Sequence, residues 1–462
     1  MANDAYKADG NALHSRLGRV LSIRPGEGRL VAWSALYIFC VLCAYYVIRP
    51  IRDTMGIGGG VHNLQWLFTG TLVCMVLANL PFSALSRTLP RARFITITYR
   101  FFTAQLLLFA IVMTVSDPSQ IVWVGRVFFV WVSVFNLFVV SVFWALVVDV
   151  FNTHQGKRLF ALLAAGATCG AIVGSATTAE LAKHVSPAGL LLIAAALLEI
   201  AVLCVARLSK HSQQALPSVE CTNEASATIE NAKPHRPRAR PPTSAATDAT
   251  APLGGSVLAG ITRTIRSPYL ANICLYMLLF SIASTILYFE QATLIHRAIP
   301  SSAARLKLFA TLDLVGNSLT LVLQLTMTSR IVRLFGVALT IAIIPALSAL
   351  GFGILALWPT MTALIGFAVL RRAGNFAIAR PTREMLFTVI GREDKYKAKT
   401  FIDTVLYRLG DQVGAWTYAG FSSAGLSAAM MALVAALVSL AWLVNSYWLG
   451  QRQQKMSAHS AV

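Results

Sequence analysis

The sequence predicts an all-α polytopic membrane protein, with about twelve transmembrane helices in two six-helix bundles. Three observations carry this. The 462 residues are 56% hydrophobic and only 13% charged, with a mean hydropathy of +0.65, far from a soluble globular balance. Apolar runs of about 20 residues, the length that crosses a bilayer as helix, recur with short polar breaks. Lys and Arg number 39 against 19 Asp and Glu, a formal charge of +20, and the excess sits in every second loop.

Hydropathy places spans near 30–50, 64–85, 94–115, 121–148, 159–183 and 188–208, and again near 269–296, 305–328, 335–357, 361–390, 399–422 and 426–449. The fourth and tenth run long, so they are expected to tilt or to project beyond the bilayer. The first apolar run lasts a full span, so it should insert and stay rather than act as a cleaved signal. Arg16, Arg19, Arg24 and Arg29 precede the first span, Arg87, Arg91 and Arg93 follow the second, and Lys157 and Arg158 follow the fourth. Arg330 and Arg333 follow the eighth, a charged run from Arg392 to Lys399 follows the tenth, and Arg452 and Lys455 close the chain. This is the positive-inside pattern of a multi-pass protein of the inner (plasma) membrane with both termini cytoplasmic.

The domain reading follows. Residues 1–29 are a cytoplasmic N-terminal segment, 30–208 and 267–449 the two six-helix bundles, 209–266 a connector and 450–462 a cytoplasmic tail. Within the connector, Ser209 to Gly255 is rich in Ser, Thr, Ala, Pro and charge and cannot bury enough apolar surface to fold. In a soluble protein +20 would invite a nucleic-acid partner; here membrane topology accounts for the charge, and the lipid bilayer is the partner expected. Seven cysteines and eight histidines show no metal-ligand spacing, and no Gly-rich loop ends in Lys and Ser or Thr. No catalytic residue, metal or cofactor is expected, and no enzyme.

The halves look related. Lys157 opens a segment carrying Gly170 and Gly174, and Lys397 opens one carrying Gly410 and Gly414, each match 240 positions apart. Such duplication is what secondary transporters of major-facilitator architecture show, with substrate held near midplane between the bundles. Gly166, Gly170 and Gly174 form a small-residue stripe that lets helix backbones approach, and packing is the role expected of it and of Gly410 and Gly414.

Charges inside the spans point to function, because each costs roughly 3 kcal/mol or more on insertion scales. Arg49 and Arg52, with Asp53, stand at the end of the first span. Asp149 closes the fourth, where an unfavourable helix dipole calls for a cation such as Lys157 or Arg158. Glu290 lies toward the outer end of the seventh and is expected either to pair with an arginine across the bundle interface or to face the outer surface. At 100° per residue, Arg372, Arg380 and Arg383 fall within one broad face of the tenth span rather than around it. The planar guanidinium fork suits phosphate or carboxylate oxygens, so a basic cavity reads as a site for an anionic small molecule. The rival reading is a structural arginine network paired with Asp313, Asp403 and Glu384.

These residues carry a resemblance. The stretch from Tyr46 through Arg49, Arg52, Asp53 and Thr54 to Met55 resembles an element of the ATP/ADP translocase family of plastids and intracellular bacteria. It continues in Phe143-Trp144 through Asp149, Lys157 to Phe160, Tyr288-Phe289-Glu290, Pro381 to Met385, and Lys397 to Gly414. The resemblance implies exchange of nucleotides, classically ATP for ADP. It also implies four functional charges: Arg52 and Arg383 where the family has lysines, Asp149 where it has a glutamate, and Glu290 where it has the same glutamate. The chain departs at Pro50 and Arg380, where the family has aspartates. The implied substrate-binding set is Arg49, Arg52, Asp149, Glu290, Arg380 and Arg383, and a monomer is expected. Two further readings stay open: a proton-coupled carrier or exporter of another organic anion, and a non-transporting scaffold or sensor.

Overall fold

The computed structural model describes residues 27–151, 153–214, 267–390, 399 and 401–460. Most of the 209–266 connector and of the charged run after Arg392 lies outside the described residues. The first half contains α1 (Gly28–Gly58), α2 (Leu64–Thr88), α3 (Arg91–Val115), α4 (Pro118–Val150), α5 (Thr153–Leu181) and α6 (Pro187–Gln214). The second contains α7 (Pro268–Ala298), α8 (Ser302–Thr326), α9 (Thr328–Leu357), α10 (Met361–Gly374), α11 (Arg380–Leu386), α12 (Tyr407–Ser423) and α13 (Ala428–Ser460). A π-helical turn, Asn375–Ala379, joins α10 to α11 as one span, and a second, Ile402–Leu406, leads into α12. Ten of the described helices are long and apolar enough to cross a membrane. Helix continues past the bundle limits read from hydropathy, to Gln214 in α6 and through most of the tail in α13.

The first span is longer than its hydropathy. Arg49, Pro50 and Arg52 lie inside α1, which runs on to Gly58. Pro50 withholds one backbone donor, from the carbonyl of Tyr46 one turn earlier. The Thr54 hydroxyl donates to the Pro50 carbonyl at 2.8 Å. At a rise of about 1.5 Å per residue, Arg49 sits about 14 Å below the end of the helix, within the span rather than at its mouth. The chain then reverses at Gly60, whose φ of 92° an L side chain rarely adopts. In α9 another left-handed glycine, Gly336 (φ 66°), sets a kink before the apolar part of the span begins.

The halves repeat one packing scheme: α1 lies against α5 and α6, and α7 against α12 and α13. The glycines make this possible. Gly166, Gly170 and Gly174 bring α5 onto the backbone of Ala35, Phe39 and Cys43, while Gly410 and Gly414 bring α12 onto Leu278 and Ile282 of α7. Small residues serve here because apolar burial does not drive helices together in lipid, so close backbone contact must.

The halves meet along α8 with α5 and α1, and along α2 with α12. They share buried apolar side chains at the end remote from the termini, where Ile57, Leu64, Leu67 and Phe129 pack with Phe289, Ile295, Phe309 and Tyr418. Toward the termini the second half has a core of its own around Tyr276, Ile341, Phe387 and Trp442. The two bundles are therefore closed together at one end.

Candidate functional site

Three helices bring charge to one layer. Counted from the ends where the halves close, Arg49 of α1 is about 14 Å deep, and Asp313 of α8 and Arg372 of α10 are each about 17 Å deep. They meet. Arg49 Nη1 donates to Asp313 Oδ1 at 3.1 Å across the two halves, and Arg372 Nη1 donates to the same oxygen. Arg372 Nη2 also reaches the Tyr46 hydroxyl (3.2 Å) and Asn317 Oδ1 (3.4 Å). Arg52 folds back on its neighbour Asp53, with Nη2 at 2.6 Å, and lies over the Phe129 ring. Tyr288 of α7 donates its hydroxyl to Asp53 Oδ1 at 3.1 Å, a second link between halves. One carboxylate oxygen of Asp313 and the amide nitrogen of Asn317 are buried without a hydrogen-bond partner. Unspent polar capacity in lipid-depth protein marks a place where a polar solute would be held.

The other arginines of the tenth span are elsewhere. Arg380 and Arg383 lie about 12 to 17 Å further along the axis. Arg383 Nη2 is 3.3 Å from Asp403 Oδ1 and its Nη1 is 3.0 Å from Met277 Sδ. Arg380 is exposed, stacks on the Phe376 ring at 4.5 Å, and has no carboxylate in ion-pair reach among the described residues. A π turn at Asn375–Ala379 stands between Arg372 and the later pair Arg380 and Arg383, so the regular 100° step does not run unbroken through the span. Lys399 binds Glu384 at 2.5 Å, and Arg408 binds Asp411 at 3.3 Å.

Arg371 turns the opposite way from Arg372, into the second bundle. It donates to Ser348 Oγ (2.9 Å), Ser284 Oγ (3.0 Å) and the Phe280 carbonyl, satisfying a buried guanidinium with neutral acceptors. Glu290 is also internal. It is 3% exposed, with Tyr418 as its hydrogen-bonding neighbour and no ion pair among the described residues. Neither expected placement holds, because two residues along a helix is a turn of about 200°. With Tyr288 facing Asp53, Glu290 faces α12 instead. Asp149 lies in the last turn of α4, and its side chain, like those of Lys157 and Arg158, is outside the described ones.

Asp53, Asp313, Asn317, Tyr46, Tyr288 and Arg372 complete the layer, and they were not among the substrate-binding set read from sequence. A signal existed for two of them: Asp313 and Asn317, four residues apart, put polar groups on one face of an otherwise apolar span.

With this architecture in view, comparison with solved structures is informative. The fold is that of the major facilitator transporters. An auto-inhibited peptide transporter of the POT family superposes with a TM-score of 0.60 at 14% identity, covering 92% of this chain and 97% of that one. The nucleoside transporter NupG gives 0.56 at 14%, covering 92% and 99%. A bacterial homologue of the iron transporter ferroportin, in an inward-facing state, gives 0.59 at 12%, covering 90% and 98%. No family model matches the sequence. One stretch of 98 residues is 31% identical to ADP,ATP carrier protein 2 of Chlamydia pneumoniae, spanning 20% of this chain and 18% of that carrier.

Proposed function

We propose that the chain is a secondary transporter of the inner membrane that exchanges nucleotides or related phosphorylated anions by alternating access. The observation that carries this is an excess of guanidinium at the junction of the bundles. Arg49, Arg52 and Arg372 stand against Asp53 and Asp313 in that layer, among the described residues. Each such charge costs about 3 kcal/mol or more to place at membrane depth, and a solute bearing several phosphate oxygens is the kind of occupant that would offset it. The local identity to the Chlamydia carrier supports the same class of solute.

The layer is built to be competed for. Asp313 and Asp53 hold the arginines, and phosphate oxygens would compete with those carboxylates for them. Release of Asp313 from Arg49 and of Asp53 from Tyr288 would loosen the links between halves, letting the bundles rock about the site. Reconstitution tests this. Vesicles loaded with unlabelled ADP should take up labelled ATP several times faster than empty vesicles, and transport confined to neutral or cationic solutes would overturn the reading.

One observation favours a second reading, a proton-coupled carrier of another organic anion. Glu290 is buried with no ion pair among the described residues, and one of its carboxylate oxygens has no hydrogen-bond partner. An intramembrane carboxylate in that state is a candidate proton carrier. Uptake driven by an imposed pH gradient alone, and lost in Glu290→Gln, would decide for it.

A further inference from the structure

Away from the junction, a groove of about 880 Å³ lies on the outer side of the first half, between α2 and α4. It is within the ~300–1,000 Å³ range of ligand pockets. Its floor is apolar, from Leu67 and Gly70 past Leu77 and Ala78 on α2, with Val127, Val130 and Val134 opposite. Arg126 stands at its upper part, with Asn63, Trp66 and Trp123 around it. Trp66 and Trp123 are 60% and 65% exposed, the placement of an interfacial aromatic belt.

Arg126 is the unexplained residue. It lies about 12 Å inside α4. Its guanidinium stacks 4.4 Å from the Trp123 ring and gives one long hydrogen bond, 3.4 Å, to the Gly59 carbonyl. Its Nε is buried with no partner, and no carboxylate is within ion-pair distance among the described residues. A guanidinium at the level of the aromatic belt, with no carboxylate in ion-pair reach among the described residues, suits the phosphate of a lipid headgroup, which lies at that level. The apolar part of the groove runs about 17 Å along α2 from Leu67 to Ala78, close to the ~15 Å half-thickness of a hydrocarbon core.

We infer that this groove binds one anionic phospholipid, its phosphate on Arg126 and its acyl chains along α2 and α4, in the leaflet at the closed end of the bundles. A headgroup lacking its own ammonium suits a cation with no protein counter-ion. The site also touches the gate: Trp66, which lines the groove, packs edge-on against Trp416 of the other half with ring centroids 4.8 Å apart. Lipid occupancy therefore supports the contact that keeps this end shut.

The test uses the full chain, delipidated in detergent and titrated with phosphatidylglycerol or phosphatidylcholine, with binding read by native mass spectrometry and by the shift in Tm. The wild type should bind one phosphatidylglycerol in preference to phosphatidylcholine. Arg126→Gln should lower that affinity roughly tenfold, about the loss of one charge-assisted hydrogen bond, with lipid-free Tm unchanged. Gly70→Leu, which projects into the groove and leaves Arg126 in place, should also weaken binding. Equal retention of both lipids by the wild type, or undiminished binding of phosphatidylglycerol by either variant, would reduce the groove to ordinary annular contact and overturn the proposal.

Discussion

Asp313 holds two guanidiniums from opposite halves on one oxygen, so its removal and the removal of one arginine have different consequences. In Asp313→Asn, Arg49 and Arg372 are left facing each other at membrane depth, and breaking a buried pair from the shared side costs about 3–5 kcal/mol. Arg49→Gln leaves Asp313 with Arg372 and should cost much less in stability. Thermal unfolding of the two variants checks the order, and equal melting would show that the link between halves is not carried by this carboxylate. Arg380 gives the complementary case: exposed and without a carboxylate, its change to Gln should leave the substrate-free Tm within a degree or two while abolishing most of the shift produced by ATP or ADP. Arg383→Gln differs again, since it strips Asp403 of its cation and should lower Tm before any nucleotide is added. At this scale the sequence showed which charges lie at membrane depth and offered Asp313 and Asp403 as partners for arginines of the tenth span, which they are, but not that Arg49 of the other half shares Asp313. Arg371 and Arg372 are adjacent, yet one enters the bundle and the other the junction, and only the phase of the helix against its neighbours separates them.

At the scale of the element, glycine decides how near two helices come. A side chain at Gly170 or Gly174 would run into the backbone of Phe39 or Cys43, which cannot swing aside as a side chain can. Gly174→Leu should therefore push α1 from α5 and abolish folded protein, scored as loss of the monodisperse peak in size-exclusion chromatography. Gly420→Ala is the control, for a Cβ there meets no atom within 4 Å. It should be neutral or stabilise by about 0.5–1 kcal/mol, since alanine loses less freedom in a helix than glycine. The stripe at Gly166, Gly170 and Gly174 was legible because small residues four apart have few other uses in an apolar span. The π turns were not. Each depends on what the neighbouring helices require of the backbone, and no local residue pattern announces Asn375–Ala379.

For the whole molecule, twelve spans in two halves could be read from hydropathy and from the repeated glycines, whereas the state in which the halves are caught could not. That state follows from contacts between residues hundreds of positions apart. The Thr69 hydroxyl donates to Gln412 Oε1 at 2.9 Å, the Trp416 indole N–H donates to Thr69 at 3.2 Å, and Phe68 packs against Tyr288 and Phe289. If the protein works by rocking, these contacts between α2 and α12 must part once in every cycle. A cysteine pair, Thr69→Cys with Gln412→Cys, placed in a chain otherwise free of cysteine and joined by a short bifunctional thiol reagent, should hold this end shut. Exchange of labelled nucleotide across vesicles should then fall to background, because the halves can no longer part at this end. Singly substituted controls treated with the same reagent should exchange normally. Full exchange with the link in place would mean that α2 and α12 never separate, and the alternating-access mechanism would have to be abandoned.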